Sequence, residues 1–377
     1  MTLAVLVLGL ASALCVESAH GWSLGGNRRV DPTRSTQSLI EHLRRGPSRV
    51  NDDVSIVPLT KYECGFQWSG KTSANVGGGR QGQGDEDREI AFVDRAEFVS
   101  PRCGRDTHVG KAVEAYFGAN EDARKEYSAV LPRMYIAIFL SLTRRSIVSG
   151  GSFDPYLRTL PSRSDLQHLP IFWNARELDE LQDSAVKEAV RRRRNDWEDE
   201  FNTVRKAIAE DVNCHDDFVD CETWFWARSI ITSRAFKDGH ETCLVPYVDM
   251  MNHINSDRDD TIECEWNINP SGFHLVIPEK SLEIGTTKSV ELSYGYHSNS
   301  NFLLNYGFSV TDADQAVDDQ ALLSMILQGD TDAAKEALWE GDGLGDCHKI
   351  RRNVTINIGN PGPMQSLLSL CRVASSQ

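Results

Sequence analysis

The chain has 377 residues, of which 40 % are hydrophobic, enough for a packed core, and this excludes a globally disordered protein. Its 55 acidic and 40 basic side chains give a formal net charge of -15. This charge argues against a nucleic-acid-binding protein, because phosphate contacts need a clustered positive surface; it would suit a basic partner, although solubility explains it equally well.

The first fifty residues are typical of a targeting region. Residues 3–13 are an apolar run ending in small residues, too short for a membrane span of about 20 residues but typical of a signal peptide. Residues 24–50 are rich in Arg and Ser and poor in acids, like a transit peptide. We expect a signal-like leader over 1–23 and a transit-like linker over 24–50, which together predict bipartite import into a plastid. A secreted or cytoplasmic protein is the alternative, and no membrane span is predicted.

Two β-strands are predicted in the region that follows, at residues 54–59 and 89–94. Between them, residues 65–72 match the phosphate-binding pattern GxxxxGK[ST], but such a loop works only between a strand and a helix. The Gly-rich residues after the match cannot start a stable helix. We therefore interpret the match as a flexible surface loop and not as a nucleotide site.

Residues 113–236 are predicted to be largely helical. The apolar run 131–142 predicts a buried helix, and Asn174 with Glu177 has capping-box spacing, which predicts a helix over 175–190. Apolar residues then recur at helical spacing and predict a buried helix face formed by Trp197, Phe201, Val204, Ile208 and Val212.

Two polar features accompany these helices. The four consecutive arginines at 191–194 are most simply a solvated helix face, with a docking patch as the alternative. Asp220 is predicted to cap a further helix that carries two packing tryptophans.

Three short antiparallel strands are predicted in the carboxyl half, at residues 261–268, 272–278 and 289–295. An Asn-His pair precedes them, and two tyrosines lie on either side of the turn that follows. No Ser-His-acid order stands out, and neither His-x-x-x-His nor Cys-x-x-Cys spacing occurs, so no metal site is predicted. These patterns alone indicate a polar, Tyr-rich site of unknown reaction.

Five stretches, in order, resemble the SET-domain protein methyltransferases of the Rubisco large-subunit lysine methyltransferase branch. They are SFDPYLRTLP (152–161), IFWNARELDELQ (171–182), TSRAF (232–236), LVPYVDMMNH (244–253) and ELSYGYHSNSNFLLNYGF (291–308). The last two are the most specific, because NH followed by SYG and then NYGF is typical of the carboxyl half of the SET domain.

The resemblance implies an α+β fold: a SET-domain β-fold of small curled sheets with a carboxyl-terminal pseudoknot, a helical insertion and a truncated helical substrate-binding region. We expect a diverged amino-terminal SET part at 51–110 and the helical insertion at 111–220. The carboxyl-terminal SET part is expected at 221–310, and a partial substrate-binding domain at 311–377.

The resemblance also implies a reaction, the S-adenosylmethionine-dependent N-methylation of lysine in a non-histone protein. Asn252 and His253 match residues that hold the cofactor, and Tyr294 matches the active-site tyrosine beside the transferred methyl and cofactor. The implied substrate-binding positions are Arg234, Phe236, Asp249 and Tyr306.

A histidine-methylating branch of the same family resembles the chain less. It lacks the tyrosine that matches Tyr306, and it has polar or bulky residues at the positions of Phe236 and Val248. The expected partner is therefore a protein with a target lysine, and we expect a monomer. The turn at 82–84 and the segment 363–373 match the family only in part, so the alternative is a catalytically weak SET-fold module that binds proteins.

Overall fold

The computed structural model describes residues 32–58, 64–69, 88–182, 184–211, 220–239, 241–254, 260–278, 281, 287–295, 297–310, 320–326 and 351–357. The predicted leader at 1–23, the turn at 82–84 and the segment 363–373 lie outside the described residues. None of the described helices is long and apolar enough to cross a bilayer.

Along the chain, a helical segment is followed by a group of strands three times. The helices are α1 (Pro32–Arg45), α2 (Pro101–Arg105), α3 (His108–Ala119), α4 (Glu121–Tyr127), α5 (Leu131–Arg144), α6 (Asp154–Leu157), α7 (Ala175–Asp179), α8 (Ala185–Glu210), α9 (Cys221–Arg234) and α10 (Asn299–Tyr306). The strands are β1 (Arg49–Val50), β2 (Val54–Pro58), β3 (Cys64–Trp68), β4 (Arg88–Asp94), β5 (Phe236–Asp238), β6 (Glu241–Cys243), β7 (Thr261–Asn269), β8 (Gly272–Ile277), β9 (Lys288–Leu292), β10 (Gln320–Ile326) and β11 (Arg351–Asn357). Helix α1 is followed by β1–β4, α2–α9 by β5–β9, and α10 by β10–β11.

One mixed sheet combines the strands β1–β4 with the strands β7–β9 from later in the chain, in the order β1-β4-β8-β7-β9-β3-β2. Within it β7 and β9 run parallel, and the other neighbours are antiparallel. Along β8, alternate residues Phe273, Leu275 and Ile277 are fully buried, the period-two pattern of a strand with one face on a core. The five predicted strands are confirmed as strands, although the last leaves the sheet after Leu292. The antiparallel arrangement predicted for the three carboxyl-half strands is wrong for the last of them, because β9 pairs with β7 in parallel.

The match to a phosphate-binding loop falls partly on β3. Residues 65–68 pair with β2, residues 66–68 also pair with β9, and Phe66 and Trp68 are each only 2 % exposed. The interpretation as a flexible surface loop is therefore wrong for these residues, because a strand between two partners has its amide groups committed to the sheet. Residues 70–72 lie outside the described residues.

The helices pack as a layer around α5, which is buried continuously from Met134 to Leu142. Helix α2 crosses it at Gly104, where a Cβ atom would overlap the backbone carbonyl of Tyr135. Helix α1 also joins this core, because Leu39 and Leu43 are buried. The transit-like linker proposed for residues 24–50 does not account for that burial.

The predicted helix over 175–190 is two helices. The capping box is confirmed, since Asn174 Oδ1 accepts from the Glu177 amide at 3.0 Å and Glu177 Oε2 accepts from the Asn174 amide at 2.7 Å. Gln182 then takes a left-handed φ of 51°, which ends the helical path. Ser184 caps the next helix, α8. Four residues of the predicted apolar face of α8 are buried (Trp197, Phe201, Val204 and Ile208), and Val212 lies outside the described residues.

The arginines at 191–194 do not form a solvated face as a group. Arg191 and Arg192 are exposed, but Arg193 donates to the Leu304 carbonyl at 2.9 Å. Arg194 donates to the Trp173 carbonyl at 2.5 Å. Four consecutive helical residues cover the full circumference of a helix, so two of them must face the protein. By contrast, the predicted cap at Asp220 is confirmed by its bond from the Thr223 amide at 2.7 Å.

We predict that Gly104→Ala lowers the free energy of unfolding by about 2 kcal/mol or more, because the new methyl group forces α2 away from α5. Gly118→Ala is the matched control. Gly118 is exposed in α3 with open space around its Cα, so alanine there should stabilise the helix by up to about 1 kcal/mol. Urea unfolding of both variants measures the difference, and equal effects would contradict the close packing of α2 on α5.

Candidate active site

A short backbone pairing brings two distant segments together at the end of β9. The Leu292 amide donates to the Asn252 carbonyl at 2.9 Å, and the Ile254 amide donates to the Leu292 carbonyl at 3.0 Å. His253 therefore bridges Leu292 in parallel, while Cys264 of β7 pairs with Leu292 from the other edge. The end of β9 is thus held between two segments.

Tyr294 follows this pairing by two residues and is anchored at both ends. Its amide donates to His253 Nδ1 at 3.1 Å, and its hydroxyl donates to the Met251 carbonyl at 2.6 Å. Burial around the hydroxyl raises the pKa of Tyr294 above its ordinary value of 10. The residue is therefore a neutral phenol at physiological pH, and its hydroxyl proton is committed to Met251.

His253 and Tyr294 pack against a cluster of aromatic rings. The His253 ring centroid lies 4.7 Å from that of Phe302 and 5.9 Å from that of Phe308. Gly307, with φ of 80°, ends α10 and turns the chain so that Phe308 stacks on Phe302 at 5.2 Å. Burial lowers the pKa of His253, which agrees with a neutral ring whose Nδ1 accepts from Tyr294.

A cavity of about 210 Å³ lies beside Tyr294. Five of the predicted site residues line it: Arg234, Phe236, Asp249, Tyr294 and Tyr306. The other two, Asn252 and His253, are absent from its lining and lie on the segment paired with Leu292. The Tyr294 and Tyr306 rings are 4.8 Å apart, so both predicted tyrosines share one wall. The structure therefore brings the substrate-binding positions together and sets the proposed cofactor positions next to them.

Sequence reasoning missed several lining residues, of which Trp266 is the most prominent. It is 42 % exposed, stacks on Phe273 at 5.4 Å and meets the Phe236 ring edge-on at 5.6 Å. An aromatic residue among polar neighbours in a predicted strand is the signal that indicates such a position. The other missed lining residues are Ser233, Ala235, Lys237, Met251, Leu292 and Ser293, whereas Val248 was already named as a substrate-side position.

A buried carboxylate forms part of the cavity wall. Asp249 Oδ2 accepts from the Tyr156 hydroxyl at 2.6 Å and lies 3.7 Å from Arg234 Nη1, which also donates to the Asp249 carbonyl at 3.0 Å. Burial raises the pKa of Asp249, and its Oδ1 has no hydrogen-bond partner among the described residues. Tyr156, in α6, was not a predicted site residue, although it lies in one of the stretches that carry the resemblance.

The turn that positions Asp249 begins at a strained residue. Tyr247 has φ of 73° and ψ of -53°, a conformation that costs a non-glycine residue roughly 1–3 kcal/mol. Its side chain is fully buried and packs edge-on against Phe66, with ring centroids 5.0 Å apart. Packing against β3 therefore holds the turn that presents Asp249 and the Met251 carbonyl. Within the described ranges, no three His, Cys, Asp or Glu side chains are grouped to hold a metal ion.

Comparison with solved structures identifies the architecture. The SET domain of LSMT bound to lysine and AdoHcy is similar with a TM-score of 0.58 and 16 % identity, over 91 % of this chain and 73 % of that one. Rubisco LSMT bound to AdoMet is similar with a TM-score of 0.56 and 18 % identity, over 91 % and 71 %. The chain has the SET-domain fold.

A third structure, Rubisco LSMT bound to sinefungin and monomethyllysine, is similar with a TM-score of 0.56 and 17 % identity, over 87 % of this chain and 68 % of that one. The sequence itself matches no protein-family model and no curated protein. The predicted α+β SET fold is therefore confirmed by structure, at identities that are informative about the fold alone.

The depressed pKa of His253 predicts a pH-dependent stability. Above pH 6.5 His253 is neutral in both states; as the pH falls below 6.5 the unfolded chain takes up a proton first, so stability is lost towards the folded-state pKa. In His253→Asn, an amide oxygen can still accept from the Tyr294 amide. We expect this variant to lose less stability than wild type between pH 7.5 and 5 in urea unfolding, and an equal loss would contradict the assignment.

The Tyr156–Asp249 bond predicts an energetic coupling across the helical insertion. Tyr156→Phe should lower the free energy of unfolding by about 1–3 kcal/mol, because it leaves a buried carboxylate oxygen without its donor. In a double-mutant cycle with Asp249→Asn, the Tyr156→Phe effect should shrink by about 1 kcal/mol. Additive effects would show that the bond contributes nothing to folding.

Proposed function

We propose that the protein is an S-adenosylmethionine-dependent protein-lysine N-methyltransferase. The observation that carries the proposal is the aromatic cavity of a SET fold in which the Tyr294 hydroxyl is fixed to the Met251 carbonyl. One of the similar structures holds lysine with AdoHcy, another holds monomethyllysine with sinefungin, and a third holds AdoMet. These ligands support a lysine substrate and an S-adenosylmethionine cofactor here.

The residues present fit a cationic cofactor. The rings of Phe236, Tyr294 and Tyr306 present faces that attract a cation. When bound, S-adenosylmethionine supplies an electrophilic methyl group on a sulfonium. We assign its binding to the Asn252 side chain and to backbone groups of His253, on the segment paired with Leu292.

The site must receive a lysine amine in its neutral form. Free lysine has a pKa of about 10.4, so deprotonation at neutral pH costs about 4 kcal/mol. An unopposed carboxylate at Asp249 would favour the ammonium form and increase that cost. The donor hydroxyl of Tyr156 and the guanidinium of Arg234 offset the Asp249 charge, and the apolar lining favours the neutral amine.

Tyr294 would then orient the amine. Because its proton is donated to Met251, the phenol oxygen is available as an acceptor for an amine N–H. Holding an N–H in this way directs the nitrogen lone pair, and alignment of that kind supplies most of the rate in a displacement reaction. The raised pKa of Tyr294 keeps the phenol neutral, so its proposed role is orientation and not proton abstraction.

Lysine is the better acceptor than histidine for this cavity. Phe236, Val248 and Tyr306, the three positions that separate the two branches of the resembling family, all line it. Their aromatic and apolar surfaces suit a narrow alkyl chain that gains methyl groups on a cation. The proposed substrate is a non-histone protein, and the composition of residues 1–50 makes a plastid protein our first candidate, with secreted or cytoplasmic targets as the alternative.

Labelled methyl transfer tests the proposal. The full chain is incubated with S-adenosylmethionine carrying a labelled methyl group and with a plastid extract, and labelled proteins are hydrolysed to amino acids. We expect label in Nε-methyllysine. Label in methylhistidine would overturn the choice of acceptor, and S-adenosylmethionine binding without any transfer would favour the catalytically weak binding module.

Tyr294→Phe provides the sharper test of the site. It removes the hydroxyl bonded to Met251 but leaves the ring and the cofactor-holding segment, so cofactor binding should be largely unchanged. Methyl transfer should fall by about a hundredfold, because the amine loses its orienting acceptor.

Tyr116→Phe removes a hydroxyl from α3, outside the cavity lining, and serves as the matched control. Turnover of Tyr294→Phe equal to that of the control would remove Tyr294 from its assigned role.

A further inference from the structure

A second and larger cavity opens beside the first. It has a volume of about 740 Å³, within the range of ligand-binding clefts, whereas the 210 Å³ cavity suits a single side chain. The two cavities share Ala235, Phe236 and Lys237 at the start of the hairpin β5–β6. A polypeptide with one side chain in the smaller cavity, beside Tyr294, would therefore continue directly into the larger groove.

The inner wall of this groove is cationic. Arg228 and Glu200 form an ion pair at 2.8 Å, with side chains only 5 % and 4 % exposed, and Arg133 and Arg193 line the same groove. Among the carboxylates that line the groove, only that of Glu200 is buried, and it is paired with Arg228. The acidic residues that also line the groove, Glu126, Asp196 and Asp199, are exposed to solvent, which weakens the effect of their charges. The charge of Asp196 still acts on Arg193 and Arg228.

One of these arginines lacks a full set of partners. Arg228 Nη1 is buried and has no hydrogen-bond partner among the described residues, although Nη2 donates to Glu200 Oε1 at 3.0 Å. A buried, unpaired guanidinium N–H is costly, and a carboxylate is the group that satisfies such donors best.

The ring of Trp197 supports both neighbouring guanidinium groups, with Arg228 at 5.4 Å and Arg193 at 5.9 Å from its centroid. Burial lowers the pKa of Arg193 to about 10, which still leaves it protonated at neutral pH. We call Arg133, Arg193 and Arg228 the arginine wall.

We propose that the groove binds the polypeptide that flanks the target lysine, and that the arginine wall takes an acidic side chain of the target protein. This inference rests on the proposed function for the identity of the partner. Its physical basis is the set of three arginines on one wall next to the lysine cavity, of which only Arg228 is paired with a buried carboxylate. It predicts a target sequence with Asp or Glu at a fixed distance from the methylated lysine.

A peptide pool tests the inference without requiring catalysis. Each peptide carries one central lysine with four randomised residues on either side. The full chain, saturated with S-adenosylhomocysteine, captures peptides from the pool, and the bound fraction is sequenced by mass spectrometry. At one or two fixed positions we expect Asp and Glu to be enriched by about tenfold over the input, the size of one charge-assisted pair.

Charge reversal on the wall provides the decisive comparison. Arg133 is half-buried and has no ion pair among the described residues, so Arg133→Glu should abolish the acidic enrichment at those positions. Arg191→Glu makes the same charge change on an exposed residue outside the groove and should keep the enrichment. If Arg133→Glu does not fold, Arg133→Ala should reduce the enrichment without reversing it.

Each outcome decides the inference. Capture of no peptide, capture without acidic enrichment, or equal enrichment by Arg133→Glu and Arg191→Glu would overturn it. Failure of the proposed function gives a different result. If the protein transfers no methyl group but still selects acidic peptides through Arg133, the groove stands and the reaction does not; transfer to lysine without acidic selection leaves the reaction standing and removes the groove.

Discussion

The candidate site depends on the parallel pairing between residues 252–254 and the end of β9. Two backbone hydrogen bonds at Leu292 fix the register of this pairing, and it joins segments about forty residues apart along the chain. Once the register is set, Tyr294 must lie beside His253 and Met251, which accept its amide and hydroxyl protons. A slip of one residue would turn the tyrosine to the other face of the strand. The orientation of the reactive hydroxyl is therefore a consequence of main-chain geometry.

The helical insertion contributes more than a cover to this site. Tyr156 comes from the insertion, Arg234 from the end of α9, and Asp249 from the turn that begins at the strained residue Tyr247. The side chains of Tyr156, Arg234 and Asp249 meet as one polar group. A buried carboxylate beside the cavity would otherwise stabilise an incoming ammonium ion. Its compensation by one hydroxyl and one guanidinium reconciles a polar wall with a reaction that needs a neutral amine.

Local patterns predicted the local structure well. The buried face of α8, the capping box at Asn174 and five of the seven strands of the main sheet follow from periodicity and turn chemistry, which act over a few residues. The site could be placed only through the resemblance, because its contacts span up to about ninety residues of chain. Tyr156 shows the limit: a tyrosine in a short helix has no sequence signal for a partner at Asp249. The arginines at 191–194 show another limit of sequence reasoning. A run of like charges does not reveal that two of its four side chains donate to carbonyl groups of other segments.

Calorimetric titration of the full chain with S-adenosylmethionine tests the central claim most directly, because the pairing at Leu292 is proposed to build a binding site for that molecule. The account predicts saturable binding at one site per chain, retained in Tyr294→Phe, and no binding of adenosine triphosphate under the same conditions. Absence of saturable heat with S-adenosylmethionine, or equal binding of adenosine triphosphate, would contradict it.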